Sequence, residues 1–285
     1  MRVDEILVVD WSGGNDRGPR PKKDAIWLAS IRDGAAEAPL YIRNRTIAEE
    51  HLSARIEAAL TEGRRLTICL DFAFGYPAGF SRAVTGSPDP LAIWDWLEAR
   101  IEDAPKSNNR FDVAAGMNRL FPGVGPFWGN ALGRDIPDLP RGGRARTFLW
   151  PEPRRLAERQ APGAFEVWQL AYAGAVGSQV LMGLPVLARL RRSFAGRVAV
   201  WPFEPLDAAE VALVEVWPSL IADAVRRASD PAEIRDAAQV RLLAGALAAQ
   251  PPERVAEMLA VPEAALAEGW IMGIGHEAAL NRAAG

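Results

Sequence analysis

Asp10, Asp71, Glu215 and Asp236 are the residues of this chain whose types and placement can do chemistry. Three of them end or occupy apolar runs: EILVVD at 5–10, LTICLD at 66–71 and VALVEVW at 211–217. The fourth lies early in an amphipathic stretch that follows Asp230-Pro231, with Val240 and Leu243 one and two turns further on to pack it against a sheet. A carboxylate in an apolar strand is costly unless a cation or a set of N–H donors compensates it. Hard divalent cations are held by carboxylate oxygens and water, often with a substrate phosphate completing the shell. Such ions clamp an in-line phosphoryl displacement. The four acids together therefore predict a Mg2+ or Mn2+ site, with Asp10, Asp71, Glu215 and Asp236 as metal ligands and catalytic groups. Each acid alone has a plainer reading. Asp before Ser-Gly-Gly is a common turn former, and Glu215 pairs equally well with an arginine. The joint pattern of strand-end, strand-end, strand and helix acids is what points to a site.

These acids need elements to hold them. Residues 5–10 read as a central strand buried on both faces, and Trp11-Ser12-Gly13-Gly14-Asn15 is turn chemistry. Runs at 25–31 and 39–43 flank Arg32-Asp33-Gly34, a hairpin signal. Thr46 with Glu49 has capping-box spacing for a helix to about Leu60, which Gly63 ends. A second buried strand at 66–71 completes a β-β-β-α-β order, the way an RNase H-like mixed sheet begins. In open α/β sheets ligands gather beyond the carboxyl ends of the strands. Asp10 and Asp71 sit at those ends, and they are adjacent if their strands are parallel neighbours. The expected fold is α/β, a single domain over 1–285 with a large, mainly helical insertion at about 73–196. Helices are expected in the insertion at 90–102, 165–175 and 178–192, the last with Pro185 as its kink. Strands return at 197–201 and 211–217. A helix over 232–249 follows, with Asp230 as N-cap and Pro231 at its first position, and then a helical tail at 262–284 interrupted by Gly269–Gly275.

Four segments also carry a resemblance. Val8-Val9-Asp10-Trp11-Ser12-Gly13, Leu70-Asp71-Phe72-Ala73-Phe74-Gly75-Tyr76-Pro77, Val214-Glu215-Val216-Trp217-Pro218-Ser219 and Arg235-Asp236-Ala237-Ala238 resemble, in order, motifs of a family of uncharacterised proteins predicted to be RNase H-like nucleases. Those motifs are an opening strand ending in Asp, an Asp-x-Pro-x-Gly segment, a Glu-hydrophobic-x-Pro segment and a late Asp-Ala helix. Ala73 stands where that family often has Pro, and the proline here falls at Pro77. The resemblance implies the fold and a metal-dependent nuclease activity at the same four acids.

Composition narrows the remaining classes. A chain of 285 residues, 49% hydrophobic and 24% charged, is ordinary globular material. Its net charge of −3 provides no global field for nucleic acid. Positive charge is nearly all Arg, with lysines only at Lys22, Lys23 and Lys106. Cys69, the single cysteine, lies in an apolar run and reads as a buried thiol. The N-terminal segment fails as a signal peptide and no apolar run approaches a membrane span of roughly 18 residues, so a cytoplasmic protein without membrane partners is expected. The two histidines, His51 and His276, are too few for a histidine metal site, and His276-Glu277 lacks the second His of a zincin helix. Gly123–Gly129 misses the dinucleotide fingerprint. The six arginines of 140–159, around Trp150, read as solvated surface, with a phosphate-contacting loop as the sharper alternative. The expected partners are nucleic acid or a nucleotide. Two other functions share the fold: an actin-like nucleotide-binding protein, in which residues 10–14 cradle phosphates through backbone amides, and a non-enzymatic binding protein that uses the insertion as its interface.

Overall fold

Apolar, β-branched runs build the sheet that carries the acids. In the computed structural model, which describes residues 3–228, 230 and 232–284, Glu5–Asp10 forms β1 and pairs antiparallel with Ile26–Arg32, β2, from Glu5↔Arg32 to Asp10↔Trp27. Asp33 and Gly34 close the next hairpin with φ of 50° and 79°, the left-handed pair that matches strand twist in tight hairpins. The expected strand at 39–43 forms over its central residues, and a two-residue strand precedes it. Ala35–Ala36 (β3) and Leu40–Ile42 (β4) both pair with β2. Helix α1, Arg45–Thr61, then crosses to Leu66–Leu70 (β5), which lies parallel to β1. Val198–Val200 (β6) and Val211–Glu215 (β7) continue in parallel, giving a mixed seven-stranded sheet of order β3-β2-β1-β5-β7-β6, with β4 also on β2.

Helix α1 starts on a different residue from the one its capping-box spacing suggests. Asn44, not Thr46, is the N-cap, and its Oδ1 accepts the Ile47 N–H at 3.0 Å. Its amide also donates to Asp16 at 2.8 Å. Asn44→Ala is expected to cost about 1 kcal/mol, read as a lower urea midpoint with unchanged slope.

Side chains alternate across a strand, so the sheet sorts its residues onto two faces. Glu5, Leu7 and Val9 share one face with Ile68, Leu70 and Leu213, by the registers of β1, β5 and β7. The Arg55–Glu5 ion pair puts α1 over this face, and Ala48, Leu52, Ile56 and Ala59 form the buried stripe of that helix. Ile6, Val8 and Asp10 share the other face with Thr67 and Cys69. There α2, Arg235–Ala248, packs on β1 and β2. Helix α2 begins three residues later than expected. Asp230 is not its cap: Asp230 Oδ1 and O accept the N–H groups of Ala232 (2.8 Å) and Glu233 (2.9 Å), closing a turn before the helix. Pro231 lies outside the described residues. Pro252–Met258 (α3) follows, and the tail is helical only at Glu263–Ala265 and Glu277–Ala283. On the α2 face, Cys69 lines a cavity of about 670 Å³ with Ile6, Leu247 and Met272. Burial pushes its thiol up to about 12, so it is an inert thiol at neutral pH.

Contacts divide the chain into two units: residues 1–72, 190–261 and 271–285, which carry this sheet, and residues 73–189 with 262–270. The second unit is built from the short helices Phe80–Thr85, Ala92–Glu98, Arg110–Asn118 and Leu156–Gln160, and from Gly177–Ser193 as far as Arg189. Pro185 lies inside that last helix. Tyr76, Phe80, Phe127 and Trp168 form its aromatic core, with ring centroids 4.5–6.0 Å apart. The helix expected at 165–175 is absent. Trp128 N–H donates to Trp168 O (3.1 Å) and Leu170 N–H to Trp128 O (2.9 Å), a parallel bridge that takes the backbone groups a helix needs. Among the described residues, no helix is long and apolar enough to cross a membrane.

Candidate functional site

Parallel register brings the first two acids together. Val9 stands opposite Leu70, so Asp10 and Asp71, one residue further on, leave the sheet side by side at its carboxyl edge. Asp71 N–H donates to Val9 O at 3.2 Å, which extends the ladder by one bond. The Trp11 N–H donates to Asp71 Oδ1 at 2.6 Å, so each strand end is tied to the next residue of its neighbour. The two carboxyls are hydrogen-bonded to each other. Burial, followed by the charges of Asp71 and Asp236, drives the Asp10 carboxyl well above the usual carboxylate range. Burial raises Asp71 to about 7 against the Trp11 N–H and the Asp10 hydrogen bond, which favour its charged form. The pair therefore shares a proton held on Asp10 and donated to Asp71, as two carboxyls in one half-buried site must.

Helix α2 supplies the third acid. Asp236 lies in its first turn, where negative charge is favoured by the helix dipole, and the Asp24 N–H donates to its Oδ2 at 2.7 Å. Burial raises the Asp236 carboxyl, the charge of Asp24 adds to this, and Arg235 and Lys23 oppose it. Glu215 is not part of this group. It is opposite Leu70 in the ladder, one position before Asp71, so strand alternation turns it to the face that carries α1. There it is 2% exposed. The structure thus brings together three of the four acids expected to act jointly. Among the described residues, no three His, Cys, Asp or Glu side chains are already gathered as a ligand set for one ion.

The loop after β1 frames the site. Arg45, buried at the start of α1, donates to Ser12 O at 2.9 Å and also to Gly14 O, while Gly14 N–H donates to Ser12 Oγ at 3.2 Å. Ser12 Oγ donates to Asp24 O at 3.1 Å, which seats the end of the loop beside Asp236. Asp24 was missed in the sequence. Its signal was Lys22-Lys23-Asp24, the chain's only paired lysines followed by an acid, just before β2. Three of the six arginines of the segment 140–159 are held in ion pairs within the protein. Arg141 pairs with Asp135 (2.9 Å), Arg146 with Glu166 (2.8 Å) and the buried Arg155 with Glu158 (2.8 Å).

Comparison of the chain with protein-family models, with curated proteins and with solved structures finds no match.

Proposed function

We propose that this protein is a metal-dependent hydrolase of phosphodiester or related phosphoryl substrates, built on an RNase H-like fold, with Mg2+ or Mn2+ held by Asp10 and Asp71 and approached by Asp236. The placement of two strand-end carboxyls side by side, near enough to the helix acid Asp236 to feel its charge, carries this reading. The β-meander, the crossover helix and the return strand parallel to β1 support the RNase H-like fold, and the resemblance in sequence falls on these same acids. The donor chemistry fits a hard cation, because two half-buried carboxyls that share a proton present the oxygen ligands from which such an ion displaces it. When bound, the ion supplies charge neutralisation and a lowered pKa for water. The chain's own contribution is orientation. The Trp11 N–H fixes the Asp71 carboxyl, the Asp24 N–H fixes Asp236, and Arg45 clamps the loop that carries both Trp11 and Ser12. The same reading places the protein in the cytoplasm.

The amide-cradle alternative is weakened by the same bonds. Trp11 and Gly14 already spend their N–H groups within the protein, so fewer donors remain for a nucleotide phosphate. The reading is tested by Mn2+-dependent hydrolysis of a chromogenic phosphodiester. Asp71→Asn is expected to lose more than about 100-fold, beyond the range of outer-shell changes. Activity that persists in chelator, or that survives this substitution, overturns it.

A further inference from the structure

The loop between β1 and β2 contains Arg17-Gly18-Pro19-Arg20-Pro21-Lys22-Lys23, four cations and no acid in a chain of net charge −3. It is tightly fastened from inside. The Tyr41 hydroxyl donates to Gly18 O (2.7 Å), Trp27 Nε1 to Lys22 O (3.1 Å) and Arg17 Nη2 to Lys23 O (3.1 Å). With its carbonyls turned inward, the loop leaves Arg20, Lys22 and Lys23 exposed. Among the described residues, none of these three makes an ion pair, whereas Arg17 pairs with Asp24 at 3.8 Å.

Two features make this more than a solvated surface. Pro19 and Pro21 fix φ and so restrict the loop that presents Arg20, Lys22 and Lys23 to solvent. The end of the loop is also joined to the carboxyl group by the 2.7 Å bond from Asp24 N–H to Asp236, and the exposed Arg235 lies next to Asp236 on α2. Unpaired cations beside a cluster of acids have remained turned to solvent. A membrane surface fits less well, because residues 17–23 offer no large apolar side chain to enter it.

We propose that Arg20, Lys22 and Lys23 form a rail for the phosphate backbone of a nucleic-acid strand and lead one phosphodiester to Asp10 and Asp71. The proposal rests on reading those carboxyls as a phosphodiester-hydrolysing site. It is tested by fluorescence anisotropy with a labelled 20-nucleotide single strand and its duplex, titrated at several salt concentrations in chelator. The full chain should bind at least one of the two. The triple variant Arg20→Ala/Lys22→Ala/Lys23→Ala should bind at least 10-fold more weakly, with the slope of log K against log salt reduced by about 2 and an unchanged circular dichroism spectrum. No binding of either nucleic acid, or wild-type affinity in the triple variant, overturns the rail and leaves the hydrolase reading standing. Rail-dependent binding without Mn2+-dependent cleavage overturns the hydrolase reading and leaves the rail.

Discussion

At pH 8 the Asp10→Asn protein is expected to melt higher than the wild type and to have lost its Mn2+ binding. Folding raises the Asp71 pKa from its ordinary 3.8 to about 7 and raises Asp10 as well, so the folded state holds protons more tightly than the unfolded one. Stability from this pair is fully present below about pH 4, where both states are protonated, and is lost as pH rises towards 7. Above that, Asp71 carries its charge in a half-buried site beside Asp10, whose own ionisation burial and the Asp71 charge disfavour. The amide introduced by the substitution can donate to Asp71 as the shared proton does, which removes the conflict. The gain is a few kcal/mol, or a rise of roughly 5 °C or more. At pH 4 the two proteins should melt at nearly the same temperature. A stabilised fold that has also lost an ion isotherm by calorimetry is the signature of a site whose strain serves binding. An Asp10 that acts only as a turn former predicts a small loss of stability at both pH values and no change in ion binding.

Glu5→Gln is expected to produce the largest loss of stability. Glu5 begins the strand that Asp10 ends, and its side chain is fully buried. Arg55 Nε reaches one of its oxygens and Arg64 Nη1 the other. Arg55 also donates to Ser30 (2.8 Å) and Glu37 (2.7 Å), and Arg64 to Glu62 (2.8 Å). A neutral amide leaves two largely buried guanidiniums facing one acceptor and an N–H pair. Breaking a buried ion network in this way costs about 3–5 kcal/mol, to be read from urea unfolding as a drop in midpoint. A loss under about 1 kcal/mol would show that solvent reaches the network. Mn2+ binding should be unchanged, since Glu5 and Asp10 lie at opposite ends and on opposite faces of β1. The strand thus carries two costly acids, one neutralised by arginines and the other by a proton.

The adjacency of Asp10 and Asp71 was legible because both end short apolar runs, and a crossover helix makes such runs parallel neighbours. The exclusion of Glu215 was not. It depends on a single register position, since a residue level with Leu70 faces α1 while Asp71, one step beyond, faces α2. No property of VALVEVW taken alone reveals that. Asn44 and Thr46 are both good caps two residues apart, and only the bond to Ile47 separates them. The helix expected at 165–175 failed for a long-range reason, the pairing of Trp168 and Leu170 with Trp128. The basic run at 17–23 was plain in composition, but its bearing on the acids appears only once Asp24 is seen holding Asp236.

The central claim is that Asp10 and Asp71 share a cation through their side-chain oxygens. Crystals grown at pH 8 and soaked in Mn2+ test it most directly, by anomalous diffraction at the manganese edge. A peak within about 2.0–2.6 Å of oxygens from both carboxyls, the range for hard divalent ions, is the predicted result. Fully occupied crystals with no peak there, and with Asp10 still hydrogen-bonded to Asp71, would contradict it.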